Sequence, residues 1–97
     1  MIDGYLLNMR VFNDVGDGKG QAPKPLEEAA EVFDALQGSD GMRDVPAWRG
    51  MRDDLIDECM DTVQAIANML AAVGATQGEV DAAIRRMDER NENRGRL

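Results

Sequence analysis

The sequence predicts a small all-α protein. Aromatic residues are only 4% of the 97 residues, so the core must come from Leu, Ile, Val, Ala and seven Met, a mixture that favours helices over a sheet. Apolar residues recur at helical spacing in four segments, which Gly- and Pro-containing stretches separate. The length suits one domain, residues 1–97. We therefore expect a single domain of four helices.

The first predicted helix spans about residues 2–13. Four apolar side chains recur at the spacing of a helical stripe: Tyr5, Leu6, Met9 and Phe12. The Gly-rich stretch that follows, residues 14–23, has neither the Gly spacing of a P-loop nor the acidic spacing of an EF-hand. We expect this stretch to be a connector without a phosphate or calcium site.

The second predicted helix spans about residues 25–37 and begins at Pro25, a favourable first-turn residue. Its apolar side consists of Leu26, Ala29, Val32, Phe33 and Leu36. Its other side carries Glu27, Glu28, Glu31 and Asp34. Several of these carboxylates are three or four residues apart and therefore repel each other, with no Lys or Arg among them.

The third and fourth predicted helices span about residues 51–73 and 76–90, with Gly74 ending the third. Thr76 and Glu79 have the spacing of a capping box. The third helix is apolar around most of its circumference, which four helices of one short chain cannot cover. We therefore predict a four-helix bundle completed by homo-oligomerisation, with Ile66 and Leu70 buried against their own chain.

Composition excludes several functions. The net charge of −8 repels nucleic-acid backbones and anionic membranes. The chain has no His, which excludes His-based triads, and its single Cys59 cannot form an internal disulfide. We expect a reducing compartment, the cytoplasm, with no signal peptide and no membrane-spanning segment.

Two acidic pairs share the same i, i+3 spacing: Glu28 with Glu31, and Glu58 with Asp61. The second pair lies on the side of the third helix that also carries Asn68, away from its polar face. Two antiparallel helices side by side would bring the four carboxylates together, and oxygen donors without His or Cys suit Mg²⁺ or Mn²⁺. Two merely solvated acidic faces remain the alternative at this point.

The acidic residues form two spaced motifs. Glu27-Glu28-Ala-Ala-Glu31 reads as EExxE, and after 26 further residues Glu58-Cys-Met-Asp61 reads as ExxD. Near the end of the chain Asn91, Arg94 and Gly95 read as N-x-x-R-G. Over about residues 20–97 this combination resembles the MazG-like proteins of the all-α nucleoside triphosphate pyrophosphohydrolase superfamily.

The resemblance implies a metal-dependent hydrolase. It implies that Glu28, Glu31, Glu58 and Asp61 hold Mg²⁺, while Glu27 supports these ligands or positions a water molecule. The implied reaction releases pyrophosphate and a nucleoside monophosphate from a nucleoside triphosphate, in house-cleaning of the nucleotide pool. The implied assembly is a homodimer or homotetramer with sites completed between subunits.

Substrate contacts are expected outside the acidic motifs. The basic tail, about residues 85–97, holds five of the eleven basic residues. We expect Arg90, Asn91 and Arg94 to contact the triphosphate, because an acidic protein needs cations for that ligand. Asn68 is expected to read a base edge, and Trp48 to anchor the loop of residues 37–50.

Two other functions fit the same residues. One is a non-catalytic helical module for oligomerisation or regulation, which would keep the fold without turnover. The other is an enzyme like phosphoribosyl-ATP pyrophosphohydrolase, which has a related helical fold. The base and sugar preference, the number of metal ions and the choice between dimer and tetramer stay open.

Overall fold

The computed structural model describes residues 4–16, 20–39 and 46–97. This part of the chain forms three helices and no strand: α1 (Lys24–Ser39), α2 (Trp48–Ala72) and α3 (Gln77–Asn93). The predicted all-α class is confirmed. Within the described ranges, no helix is long and apolar enough to cross a membrane.

Helix α1 follows a turn formed by residues 20–23, in which the Lys24 amide donates to the Gln21 carbonyl at 3.1 Å. Pro25 lies in its first turn, where a missing N–H costs nothing. The helix begins one residue before the predicted start and continues to Ser39, beyond the predicted end. It packs against α2.

Helix α2 begins at Trp48, so this residue belongs to the first turn of a helix rather than to a loop. At the other end Gly74 has a φ of 73°, the left-handed conformation that glycine adopts without strain. The amide of Ala75 donates to the carbonyl of Leu70 at 3.0 Å, which closes a Schellman cap. The predicted end of this helix at Gly74 is confirmed.

Helix α3 begins with the predicted capping box: the Glu79 amide donates to Thr76 Oγ1, and the Thr76 amide donates to Glu79 Oε1, both at 3.1 Å. The helix ends three residues after the predicted end, and Gly95 has a φ of 73°. The Arg96 amide donates to the Asn91 carbonyl at 2.9 Å, as in a second Schellman cap. The N-x-x-R-G residues therefore build a helix C-terminus.

The predicted first helix is wrong for residues 4–13, which form no helix; residues 2–3 lie outside the described ranges. A helix of about a dozen residues is marginal by itself, and here the backbone finds partners on α2 instead. The Phe12 amide donates to Asn68 Oδ1 at 3.1 Å, and the Arg10 carbonyl accepts from Gln64 Nε2 at 2.6 Å. We call residues 10–12 the strap.

The buried interior of the described chain is small. Only Ala65 and Asn68 are buried, both on α2. Ile66 and Leu70 are 44% and 37% exposed, so the prediction that their own chain buries them is wrong. The reason is that α3 does not pack along α1 or α2 within the described ranges.

The accessible surface reflects this open arrangement. It amounts to 7931 Å² for a chain of 10.7 kDa. A folded monomer of that mass typically exposes about 5,500 Å². A single chain therefore exposes apolar surface that a closed bundle would cover.

A carboxylate cluster between α1 and α2

Three of the predicted metal ligands converge. Carboxylate oxygens of Glu28 and Glu31 on α1 and of Glu58 on α2 lie within 4.8 Å of one another. The i, i+3 spacing places the first two on one side of α1, and the packing of α1 on α2 brings Glu58 to them. Glu28 and Glu58 are partly buried and Glu31 is exposed. We call these three residues the carboxylate cluster.

Asp61, the fourth predicted ligand, lies beside the cluster rather than in it. It follows Glu58 by three residues on α2 and shares a cleft wall with Glu28. It is close enough for its charge to raise the pKa of both Glu28 and Glu58. Its carboxylate therefore belongs to the same electrostatic group as the three converging residues.

Protons are held more tightly than usual in the cluster. The pKa of Glu28 is raised from its ordinary value of 4.5, first by partial burial and then by the charges of Glu31 and Asp61. The pKa of Glu58 is also raised, chiefly by hydrogen bonding with the Glu31 side chain, then by partial burial and by the neighbouring charges. In both cases, loss of the proton adds a negative charge beside carboxylates that are already negatively charged. A cation bound in place of the proton would therefore be stabilising.

One oxygen of the cluster has no partner. Glu58 Oε2 is buried and forms no hydrogen bond with any described group, although the residue as a whole is only partly buried. Buried carboxylate oxygens normally accept hydrogen bonds or bind a cation, because leaving one bare is costly. The oxygen without a partner therefore belongs to a residue of the carboxylate cluster.

Glu27, the first residue of EExxE, lies outside the cluster. Its Oε2 pairs with Lys24 Nζ at 3.4 Å, and both side chains are about half exposed. Its charge is the smallest of the contributions that raise the pKa of Glu28. Glu27 therefore lies near the cluster, but its carboxylate is not one of the three that converge.

A cleft of about 490 Å³ opens beside the cluster. Its walls include Phe12 of the strap, Lys24 and Glu28 of α1, and Asp61, Gln64 and Asn68 of α2. We call it the carboxylate cleft. It combines carboxylates, one ammonium group, amide groups and an aromatic ring within reach of a single small ligand.

The place of Lys24 in the cleft wall has a local cause in the sequence, and the place of Phe12 does not. Lys24 precedes Glu28 by four residues, so a helix that starts at Lys24 places both on the same side. Phe12 carries no such signal, because its position depends on a hydrogen bond to a residue 56 positions away.

The predicted substrate residues are not in one place. Asn68 lines the cleft, but it is only 3% exposed, and its Oδ1 accepts from the Phe12 amide and, at 3.2 Å, from Gln64 Nε2. Arg90, Asn91 and Arg94 are at the C-terminal end of α3 and do not line this cleft. Contact between these three residues and a substrate stays a prediction.

The fold and the site define an all-helical protein with an oxygen-only candidate cation site beside an open cleft. Comparison with protein-family models, curated proteins and solved structures finds no match to this chain. The MazG-like assignment therefore rests on the three motifs alone.

Proposed function

We propose that this protein is an Mg²⁺-dependent, MazG-like nucleoside triphosphate pyrophosphohydrolase that acts in nucleotide-pool house-cleaning. The observation that carries the proposal is the convergence of Glu28, Glu31 and Glu58 from two helices within 4.8 Å. Their positions match the EExxE and ExxD motifs, which lie far apart in the sequence. The products would be pyrophosphate and a nucleoside monophosphate.

The residues present fit Mg²⁺ or Mn²⁺. All donors are carboxylate oxygens, which suit hard divalent cations. Glu58 Oε2 has no other described partner. Partial burial raises the pKa of Glu28 most, and hydrogen bonding with Glu31 raises the pKa of Glu58 most, while neighbouring carboxylate charges add to both shifts. A cation would relieve the part that comes from those charges. Glu28, Glu31 and Glu58 would hold the ion, with Asp61 beside them as fourth ligand. The ion would polarise a phosphate group and lower the pKa of a water molecule.

The remaining cleft residues have roles that follow from their charges. Lys24 would exchange its exposed pair with Glu27 for a phosphate oxygen, since a triphosphate carries more charge than one carboxylate. Glu27, once free of Lys24, would accept a hydrogen bond from the attacking water and so orient it. The water oxygen would form a bond to the α-phosphorus and give up a proton to Glu27, while the bond from the α-phosphorus to the bridging oxygen breaks and that oxygen leaves with pyrophosphate.

We further propose that the protein works as a homodimer or homotetramer. An apolar groove lies where the segment before the strap, the C-terminal half of α2 and the start of α3 meet. Its lining includes Leu7, Met9, Ile66, Leu70, Val80 and Ile84. Ile66, Leu70 and Ile84 in this groove are 44%, 37% and 46% exposed, so their apolar surface is available to an interface. A second copy of the chain would bring the same apolar surface to the contact.

Such an assembly would also account for the basic end of α3. Arg90 lies at the edge of an apolar pocket formed with Leu70 and Val80. A partner seated on this surface would bring the C-terminus of α3 close to another chain. Arg90, Asn91 and Arg94 would then contact the triphosphate in the partner's carboxylate cleft.

The negative surface and the free Cys59 fit a reducing cytoplasm, with neither nucleic acid nor membrane as a partner.

The test of the proposed reaction is a pyrophosphate-release screen over all NTPs and dNTPs, and over phosphoribosyl-ATP, with Mg²⁺ or EDTA. We expect Mg²⁺-dependent release, which Glu58→Gln abolishes. The control, Asp57→Asn, changes an exposed carboxylate next to it on α2 and should leave release unchanged.

Melting curves measure metal binding separately from turnover. Mg²⁺ at a hundred times its Kd should stabilise the wild type by about 2.7 kcal/mol, and Glu58→Gln should abolish this gain. Metal binding without turnover of any substrate would favour the non-catalytic helical module. No metal response would show that the cluster is only a solvated acidic face.

A further inference from the structure

The strap is attached to α2 through two amide side chains. Gln64 Nε2 donates to the Arg10 carbonyl at 2.6 Å and to Asn68 Oδ1 at 3.2 Å, and Asn68 Oδ1 also accepts from the Phe12 amide at 3.1 Å. These three hydrogen bonds form one connected network. Asn68 is also the most buried residue of the described chain, at 3% exposure. Gln64 and Asn68 are therefore built into the fold and are not free to bind a ligand with the same atoms.

The network lies beside the carboxylate cluster. Gln64 and Asn68 follow Asp61 by three and seven residues, so all three lie along one side of α2. The strap runs across this side, and Phe12, a residue that is 57% exposed, forms part of the wall of the carboxylate cleft. An exposed aromatic ring at the wall of a cleft is suited to stacking on a planar group.

We propose that Gln64 and Asn68 are positioning residues which hold the strap as a wall of the carboxylate cleft, so that Phe12 contacts the nucleobase end of the ligand. This inference rests on the proposed function, because it takes the ligand to be a nucleoside triphosphate whose phosphates point to the cluster. The polar end of the cleft would then set affinity for the phosphates, and the strap would set affinity for the base.

The division of the cleft can be tested with two probes. Inorganic tripolyphosphate has the phosphates without a base. The α,β-methylene nucleoside triphosphates of A, G, C and U have phosphates and a base, and their methylene group prevents cleavage between the α- and β-phosphates. Binding of each probe with Mg²⁺ is measured by calorimetry. Phe12→Ala should lower the affinity for the nucleotide that binds most strongly to the wild type by about tenfold, as expected for loss of one stacked base. The affinity for tripolyphosphate should stay unchanged.

The positioning role needs variants that change only the network. Gln64→Met keeps the length of the side chain, adds no charge to the cleft, and removes the donors to the Arg10 carbonyl and to Asn68 Oδ1. Asn68→Ala removes the acceptor for the Phe12 amide. Both variants should lower the affinity for the same nucleotide without lowering the affinity for tripolyphosphate. Both should also raise the rate of hydrogen exchange at the Phe12 amide. Thr62→Ala, also on α2 but outside the strap network, is the control and should change neither measurement.

Each failure has a separate signature. If wild type binds both probes and all variants bind them equally well, the strap has no part in recognition and this inference is overturned. Unchanged exchange at the Phe12 amide in Asn68→Ala would overturn the positioning role. If wild type binds neither probe, the proposed function fails, and this inference with it. Because Phe12 and Gln64 are on or near the surface, their variants keep the test valid if Asn68→Ala fails to fold.

Discussion

The carboxylate cleft and α3 differ in what holds them in place: contacts between distant parts of the chain at the cleft, and local hydrogen bonds in α3. At the cleft, α1, α2 and the strap meet, and the two buried residues, Ala65 and Asn68, lie on the α2 side that faces it. Helix α3 has well-formed caps at both ends but no buried residue, and it packs along neither of the other helices in the described chain. Local signals alone therefore define α3, whereas tertiary contacts define the cleft.

This difference indicates where a partner chain would bind in the proposed oligomer. Residues 80, 83, 84 and 87 form an apolar stripe on α3, and Ile84 and Met87 are 46% and 45% exposed. A short helix held mainly by its caps is marginal in water. Three of the four predicted carboxylate ligands converge within one chain, whereas the apolar stripe of α3 would be buried only in the proposed oligomer.

The largest expected effect comes from a charge on the apolar stripe. Ile84→Asp places a carboxylate in the proposed interface, where desolvation without a partner is strongly unfavourable. We expect the oligomer to dissociate to a 10.7 kDa monomer in light scattering at micromolar concentration. Arg86→Asp, two residues away on the opposite side of α3, should keep the wild-type mass. A wild type that is already monomeric would show that α3 remains exposed.

The next effect tests whether the end of α3 serves the other chain's cleft. Arg94→Ala should lower kcat/KM about ten- to a hundredfold, the loss of one hydrogen bond between charged groups, while Arg86→Ala should change it little. Mixing Arg94→Ala with Glu58→Gln should restore about a quarter of wild-type activity if the protein is a dimer with shared sites, since half of the random dimers then hold one intact site. No recovery would show that Arg94 acts within its own chain or not at all.

The parts of the structure that the sequence predicted are those with local causes. The Thr76 capping box and the end of α2 at Gly74 depend on residues within one helical turn, and both are confirmed. The juxtaposition of Glu28, Glu31 and Glu58 was also expected, because matching spacing on two amphipathic helices limits how they can pack.

The strap could not be predicted in this way. The apolar spacing of residues 5–12 fits a helix, but hydrogen bonds to Gln64 and Asn68 outweigh that local preference. The sequence instead predicts that Asn68 contacts a base edge of the ligand. Nothing in the spacing of a lone Asn or Gln shows that it bonds to a backbone more than 50 residues away. The convergence of three of the four predicted carboxylates was therefore expected from the sequence, and the cleft wall formed by the strap was not.

The pH dependence of stability separates the cluster from the rest of the acidic surface. Glu28 and Glu58 have folded-state pKa values above 4.5, so between 4.5 and the raised values the native state binds more protons than the unfolded state. Their contribution is full below pH 4.5 and is lost as pH rises through the raised pKa values. In EDTA, the free energy of unfolding should decline more over this window in wild type than in Glu58→Gln.

Mg²⁺ should oppose that decline, because it binds the ionised carboxylates and its affinity rises as they lose protons. The measurement is denaturant unfolding from pH 4 to pH 8 with EDTA or Mg²⁺. Asp57→Asn is again the matched control and should follow the wild-type curves. Parallel wild-type curves with and without Mg²⁺ would mean that the cluster protons and the cation do not compete.

The smallest expected effect concerns the cap that ends α3. Gly95 has a φ of 73°, and no atom lies within 4 Å of the place a Cβ would occupy, so Gly95→Ala meets backbone strain without a clash. That strain costs about 1–2 kcal/mol, and it should appear as faster hydrogen exchange in the last turn of α3. Gly50→Ala, in helical backbone with equally open surroundings, should instead stabilise the fold slightly, by ~0.5–1 kcal/mol.

If the N-x-x-R-G residues serve both as a cap and as a substrate contact, Gly95→Ala should loosen the helix end and reduce turnover modestly, while Arg94→Ala should reduce turnover strongly and leave the exchange rates unchanged. Equal losses of turnover in the two variants would mean that Arg94 matters only through the order of the helix end.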